Sequence, residues 1–344
     1  MDYDERLVKK AELSMGGGVR LPAGFVIPYR VSHSTAGPGA GSSALIFAFD
    51  GCQVKKAISY EQGEFELGVA AGGRLYLTRD GHPFLDRVEL RPVVFHCPDQ
   101  AFFNLDQRCI YSCAFCASPR LKENTCKGMD ETEIVALVRK AMRSQKVEAV
   151  SLTSGIVESV GATVQRLTAC VRAVWREFPA LPIGVEAYVE TERDLRALRE
   201  AGTTEVKLNL ETAAPDLFCK VCPDLDYDHI LRMLAAAVVV FGRGRVSSNI
   251  LYGMGETDEV LEETADRLSA LGVVPVLRAL RHNCYNEESL RAAIGEVHPV
   301  TPERAIRVSR IQKEVMGRHG LTTKEVQTMC LKCTCCDLVP FKDL

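Results

Sequence analysis

Short apolar runs broken by glycine, proline and serine dominate residues 1 to about 98, whereas from about residue 99 apolar strands alternate with amphipathic helices. In the first stretch, residues 44–49, 65–69 and 74–77 read as short strands joined by turns such as Asp50-Gly51 and Asp80-Gly81. Residues 36–42, Ala-Gly-Pro-Gly-Ala-Gly-Ser, invite comparison with a phosphate loop. No Lys-Ser/Thr follows and no helical pattern opens after them, so a flexible turn is expected.

The second stretch predicts strands at 101–105, 147–153, 183–189, 205–210, 246–252 and 273–280. Asp130 with Glu133 forms a capping box ahead of the apolar stripe Ile134, Leu137, Val138 and Ala141. Thr191 with Asp194 opens another helix that Gly202 closes, and Thr301-Pro302 starts a long one running to about Gly317. Six βα units in series imply an α/β fold, a partial TIM-like (β/α)6 barrel, with functional groups at the C-terminal ends of its strands. The expected organisation is a β-rich segment at 1–98, the barrel at 99–318 and a Cys-rich C-terminal tail at 319–344.

Composition narrows the class. The chain has 344 residues, 47% hydrophobic and 25% charged, enough for a core that needs no covalent staples. A net charge of −3 argues against nucleic-acid binding through bulk charge. No apolar run reaches the roughly 20 residues of a membrane span, and residues 1–6 lack a signal-peptide core, so no membrane partner and a cytoplasmic location are expected.

Fourteen cysteines are then a surplus. A secreted disulfide scaffold does not suit so long a chain without an export signal. Seven of the cysteines sit in two tight clusters, as metal ligands do; Cys52, Cys97, Cys126, Cys170, Cys219, Cys222 and Cys284 are scattered and expected to be buried and inert. Cys109, Cys113 and Cys116 have the spacing C-x3-C-x2-C in a loop directly after the first strand of the second stretch. Three thiolates on one loop suit an iron–sulfur cluster, and a [4Fe–4S] cluster held by three cysteines keeps one iron open for a ligand. A zinc site would require a fourth, distant ligand. Arg108 and Phe115 are expected to pack around the cluster. The tail adds Cys330, Cys333, Cys335 and Cys336, enough for a mononuclear iron site or most of a second cluster; a structural zinc knot is the alternative. Because Cys335 and Cys336 are adjacent, one of them is a candidate spare or reactive thiol.

Other strand ends carry polar groups. Lys207, Asn209 and Glu211 alternate along one strand and share a face that points into a barrel. A buried charge there is costly unless it binds something. Glu211 and Asn209 suit a ribose, with a Lys207–Glu211 salt bridge as the plainer reading. The turn after Ile250, with Gly253 and Gly255, allows close approach of a flat ring. Glu256 reads equally as first-turn charge on a helix. Ser154 and Gly155 end the second barrel strand.

The cysteine loop resembles the signature of the radical S-adenosylmethionine (SAM) superfamily. The runs Asn209-Leu210-Glu211-Thr212, Lys220-Val221-Cys222-Pro223-Asp224 and Gly253-Met254-Gly255-Glu256-Thr257 resemble its lipoyl synthase and biotin synthase branch over roughly residues 100 to 280. The resemblance implies a [4Fe–4S] cluster on Cys109, Cys113 and Cys116 with SAM at the open iron. It implies Ser154 and Gly155 at the amino-acid end of SAM, Asn209 and Glu211 at the ribose, and Ile250, Gly253 and Gly255 by the adenine. A low-potential electron donor of ferredoxin or flavodoxin type would be a partner. Two features depart from lipoyl synthase: residues 1–100 offer only Cys52 and Cys97 in place of three spaced cysteines, and the C-terminal Arg-Ser-Ser-Tyr motif is absent. The set of barrel-strand cysteines and an arginine that biotin synthase uses for a [2Fe–2S] cluster is not traceable in this sequence. The layout looks like one protein of a two-protein lipoyl synthase, which implies sulfur insertion into an octanoyl-lysine on a lipoyl-carrier protein and a second radical SAM protein as partner. The tail is then expected to carry a second iron–sulfur cluster over the barrel mouth, as sulfur donor or electron relay. Radical chemistry without sulfur insertion and a non-enzymatic two-cluster protein are the competing expectations.

Overall fold

The computed structural model describes residues 4–33, 43–121 and 128–344; the turn expected at 36–42 and Cys126 lie outside them. After helix α1 (Glu5–Met15) come strands β1 (Val19–Arg20), β2 (Ser32–His33), β3 (Ser43–Phe49), β4 (Cys52–Ser59), β5 (Phe65–Val69), β6 (Leu75–Arg79) and β7 (His82–Arg91). They pair in the order β2-β3-β4-β1-β5-β6-β7, and β3 also pairs with β7, which closes six of them into a small barrel. Its interior is apolar, with Val19, Phe47, Phe65 and Leu77 inaccessible to water. The hairpins at Asp50-Gly51 (φ 45° and 76°) and Asp80-Gly81 (φ 52° and 75°) take the left-handed conformations that two-residue hairpin turns demand.

The second unit is a parallel sheet of β8 (Gln100–Asn104), β9 (Ala149–Thr153), β10 (Ile183–Glu186), β11 (Glu205–Lys207), β13 (Val246–Tyr252) and β14 (Val273–Ala279), neighbours in that order. A two-residue strand, β12 (Glu211–Thr212), pairs with β13. β11 ends earlier than its apolar pattern predicts. The Leu210 amide donates to Ser248 Oγ at 2.9 Å, and Glu211 turns to φ 70°, which breaks the ladder. The predicted caps are present: Asp130 and Thr191 both form capping boxes, and Gly202 ends its helix in the left-handed region. Thr301 caps the helix Pro302–Arg318.

The C-terminal tail does not fold over the mouth of the barrel. It enters at the N-terminal half of the strands, because polar side chains there bind its backbone. The Glu205 carboxylate accepts from Gln327 N (3.0 Å) and from Thr328 N and Oγ1 (3.0 and 2.7 Å). Gln100 bonds the amide and carbonyl of Met329 at 2.8 and 3.1 Å. Gly184 makes room, since a Cβ there would lie 2.4 Å from Thr328 Oγ1. The tail also docks on the small barrel: the Lys55 amide donates to the Cys335 carbonyl at 2.8 Å and Gln53 Nε2 to the Cys333 carbonyl at 2.7 Å. No helix of the described residues is long and apolar enough to cross a membrane.

Candidate active site

A cavity of about 820 Å³ occupies the interior of the parallel sheet. At one end it is lined by Cys109, Cys113 and Cys116, on the loop that follows β8. This loop is held from several sides. Ile110 N donates to Ile156 O (2.7 Å) and Ala114 N to Val221 O (2.8 Å). Asp224 accepts from Ser112 N and Oγ at 2.7 and 2.5 Å. Ser289 and Asn286 donate to the carbonyls of Ala114 and Phe115, and Arg120 donates to those of Cys113 and Cys116. Gly155 is part of the same packing: its amide donates to Asp106 O at 2.6 Å, and a Cβ would lie 2.0 Å from Arg108 O. Burial raises the Cys109 thiol and pushes Cys116 up to about 11, so metal binding here must displace protons.

A ring of buried charge lies deeper. Lys207 Nζ is 3.3 Å from Glu186 Oε2, and Asn209 Nδ2 donates to Glu186 Oε1 at 2.8 Å. The plainer expectation of a Lys207–Glu211 salt bridge is therefore replaced by a Lys207–Glu186 pair. Burial alone would raise Glu186, but Lys207, Asn209 and Arg278 outweigh it and hold the carboxyl below its ordinary value. At Glu211 the same three groups are outweighed. Burial, with the nearby Glu186 charge, pushes it up to about 7. Arg278 pairs with Asp337 of the tail at 2.8 Å.

The tail cysteines border the same cavity from its other end. Cys330, Cys333 and Cys336 line it; Cys335 does not. Cys330 Sγ is 3.7 Å from Lys207 Nζ. Among the described residues no three His, Cys, Asp or Glu side chains converge closely enough to share one metal ion.

Ser154, Asn209 and Glu211 line the cavity, as does Gly155, whose main contact is with the cysteine loop. The strand end at 250–255 is arranged differently from expectation: Asn249 and Leu251 line the cavity, while Ile250, Gly253 and Gly255 do not. Ile250 is on the opposite face of β13, the necessary result of strand alternation. Glu256 accepts from Gly253 N (2.7 Å), Met254 N (2.9 Å) and Arg304 (2.9 Å), so it fixes the turn rather than facing the cavity.

Sequence reasoning missed Glu186, Arg278 and Cys222. Glu186 and Arg278 were reachable by the alternation that picked out Asn209. Cys222 is fully buried beside Cys113, a proximity no local pattern signals.

The cavity fits the groups expected for it. Its thiols occupy both ends, and the buried atoms Asn104 Oδ1, Asn249 Oδ1 and His282 Nε2, on residues that line it, have no hydrogen-bond partner.

Residues 104–268 match the family model of the Radical SAM superfamily. Curated relatives include biotin synthase of Desulforudis audaxviator (strain MP104C), 30% identical over 172 residues, which are 49% of this chain and 51% of that protein. Lipoyl synthase of Ectopseudomonas mendocina (strain ymp) is 27% identical over 169 residues, 48% of this chain and 47% of that one. The matches thus span about half the length of these relatives. Among solved structures, the FeFe-hydrogenase maturase HydG from Carboxydothermus hydrogenoformans superposes with a TM-score of 0.52 at 18% identity, over 64% of this chain and 52% of that chain. Methylornithine synthase (PylB) gives a TM-score of 0.52 at 17% identity, over 64% and 69%. At such identities the likeness is one of fold.

Proposed function

Because residues 104–268 match the Radical SAM superfamily model, we propose that the chain is a radical SAM enzyme that couples C–H activation to sulfur insertion, with two iron–sulfur clusters facing one substrate cavity. The observation that carries this reading is that Cys109, Cys113 and Cys116 and the tail cysteines border the same cavity, with polar groups between them. Cys109, Cys113 and Cys116 would hold a [4Fe–4S] cluster with SAM, which would supply radical chemistry able to take hydrogen from an unactivated carbon, and the tail cysteines would hold a second cluster that would supply sulfur.

The chain's own residues bind, orient and exclude water. Ser154 offers a hydroxyl beside the cysteine loop, where it donates to Gly155 O at 2.8 Å. Asn209 and Glu211 present an amide and a carboxyl to a ribose, and Leu251 offers an apolar contact to the base. Glu186 holds Asn209 in place. Lys207 and Arg278 put positive charge beside the tail thiolates, offsetting their burial. Phe95, Phe102 and Phe103 supply apolar wall to the same cavity, as an octanoyl chain requires. The substrate is then an octanoyl-lysine on a lipoyl-carrier protein, and the partners are a ferredoxin- or flavodoxin-type reductant and a second radical SAM protein.

The test is product mass with an octanoyl-lysine peptide, SAM and a low-potential reductant under anaerobic conditions. A gain of sulfur alongside 5′-deoxyadenosine is expected. Deoxyadenosine without sulfur in the peptide overturns sulfur insertion, and the absence of deoxyadenosine overturns the whole reading. Cys113→Ala is expected to abolish deoxyadenosine formation, whereas Cys333→Ala is expected to spare it and block the sulfur product.

A further inference from the structure

We infer that the tail cluster's fourth ligand is Cys97, from the segment just before β8, and that Cys335 is not a ligand. The inference rests on the reading that the tail binds a cluster at all. Cys330 and Cys333 are three residues apart on the short helix Met329–Cys333, which puts them on one face. Thr334 then takes the left-handed conformation (φ 59°) and turns the chain. After that turn, adjacent residues point opposite ways. Cys336 faces the cavity, near Arg278 and Asp337. Cys335 is fully buried and does not line it; its Sγ donates to Cys333 O at 3.3 Å. This leaves C-x2-C-x2-C from the tail, three thiols around the cavity's end.

Cys97 supplies the fourth. It is distant in sequence but lines the same cavity, and it packs with Cys333 and Cys336 in one buried cluster. Its segment is fixed by backbone pairing: Val94 N donates to Cys97 O at 3.0 Å, and Cys97 bridges to Gln100 at the start of β8. The same Gln100 side chain bonds both backbone groups of Met329, the residue next to Cys330. One glutamine therefore sets the position of Cys97 relative to the tail cysteines. Around the four thiols lie Lys207, 3.7 Å from Cys330 Sγ, and Arg278, which with Lys55 faces the same end of the cavity. A cluster with four thiolates carries net negative charge, and such cations make its burial tolerable. The competitor, Cys335, packs in the same cluster of cysteines but does not line the cavity that a shared cluster would fill.

The test uses the full chain carrying Cys109→Ala, Cys113→Ala and Cys116→Ala, reconstituted anaerobically with ferrous iron and sulfide. Iron, acid-labile sulfide and the EPR spectrum of the reduced protein are measured. About four irons per chain are expected. Adding Cys335→Ser is expected to leave iron and spectrum unchanged. Adding Cys97→Ser is expected to lower iron to about three or fewer, or to shift the spectrum if the serine oxygen takes the thiolate's place; Cys97→Ala, which offers no ligand, is expected to lower iron. Circular dichroism of the metal-free variants separates ligand loss from unfolding, and a Cys97 variant that loses iron only because it unfolds overturns the assignment. Loss of iron with Cys335→Ser but not with Cys97→Ser or Cys97→Ala also overturns it, as does retention of iron and spectrum in all of them, which would mean a three-cysteine site. If the starting triple variant folds and binds no iron, the tail-cluster reading itself fails, a result distinct from any of these.

Discussion

Two carboxylates in the cavity illustrate how neighbours, not residue type, set chemistry. Glu186 has Lys207 and Asn209 within bonding distance and stays below its ordinary value. Glu211 is pushed from 4.5 to about 7, first by burial and then by Glu186. The folded chain thus holds a proton on Glu211 that the unfolded chain has already lost between about pH 4.5 and 7. Stability from this group is therefore present at low pH and falls as pH rises through that window, by at most roughly 3 kcal/mol. Glu211→Gln should flatten that part of the curve, measured by urea unfolding of the metal-free protein from pH 5 to 7.5. If Glu211 also accepts the ribose hydroxyls, Glu211→Ala should weaken SAM binding by ~1.5–3 kcal/mol; unchanged affinity by calorimetry would remove that role. The polar alternation of Lys207, Asn209 and Glu211 was legible in the sequence, since a strand facing a barrel interior has no other use for three polar groups. Which carboxylate pairs with the lysine was not legible, because Glu186 comes from the neighbouring strand and only register brings it alongside.

At the scale of elements, the strands and caps were readable because each is set locally, by apolar period or by a side chain three residues away. The cysteine loop and the tail are different: both have conformations imposed by distant groups. Gly155 reads in sequence as a possible ligand contact, yet its lack of a side chain lets the loop carrying Cys109 pack against the end of β9. Gly155→Ala should therefore displace that loop. If both cysteine sets hold clusters as proposed, the expected result is loss of about four irons from the reconstituted protein with the remainder retained, measured by iron analysis against the Cys109/Cys113/Cys116 triple variant; full iron content in Gly155→Ala would contradict it. The tail's course was misjudged for a related reason. The carboxylate that steers it inward, Glu205, opens β11 and looks in sequence like an ordinary strand-start charge. It is in fact buried, takes Arg245 at 2.9 Å and accepts the amides of Gln327 and Thr328. Glu205→Ala should cost about 3–5 kcal/mol, as loss of a buried charge partner does, and should expose the segment after residue 320 to limited proteolysis before the rest of the chain unfolds.

Over the whole molecule, the first and last helices and the tail form one mechanical unit. Lys10 on α1 is fully buried and bonds Asp343 at 2.6 Å, nearly the full chain length away, and the carbonyl of Thr334 at 2.9 Å. Asp343 in turn accepts from Val339 N at 2.6 Å. The lysine thus ties the N-terminal unit to the residue at which the cysteine helix turns toward Cys336. Arg281, from the loop after β14, adds a parallel tie by donating to Ser14 O and Cys336 O. Because the pair is buried, removing either partner strands a charge and should cost about 3–5 kcal/mol, whereas removing both strands none. Lys10→Ala and Asp343→Ala should each lower stability by that amount in urea unfolding, and the double variant should be less destabilised than the sum of the two. Strictly additive losses would mean that the two ends act independently. Iron on Cys109, Cys113 and Cys116 should survive all three substitutions, since that loop is anchored by Val221, Asp224 and Ile156 instead. If the tail holds a cluster as proposed, its iron should be lost more readily in Lys10→Ala, because the Thr334 carbonyl loses its donor and the turn that presents Cys336 loosens.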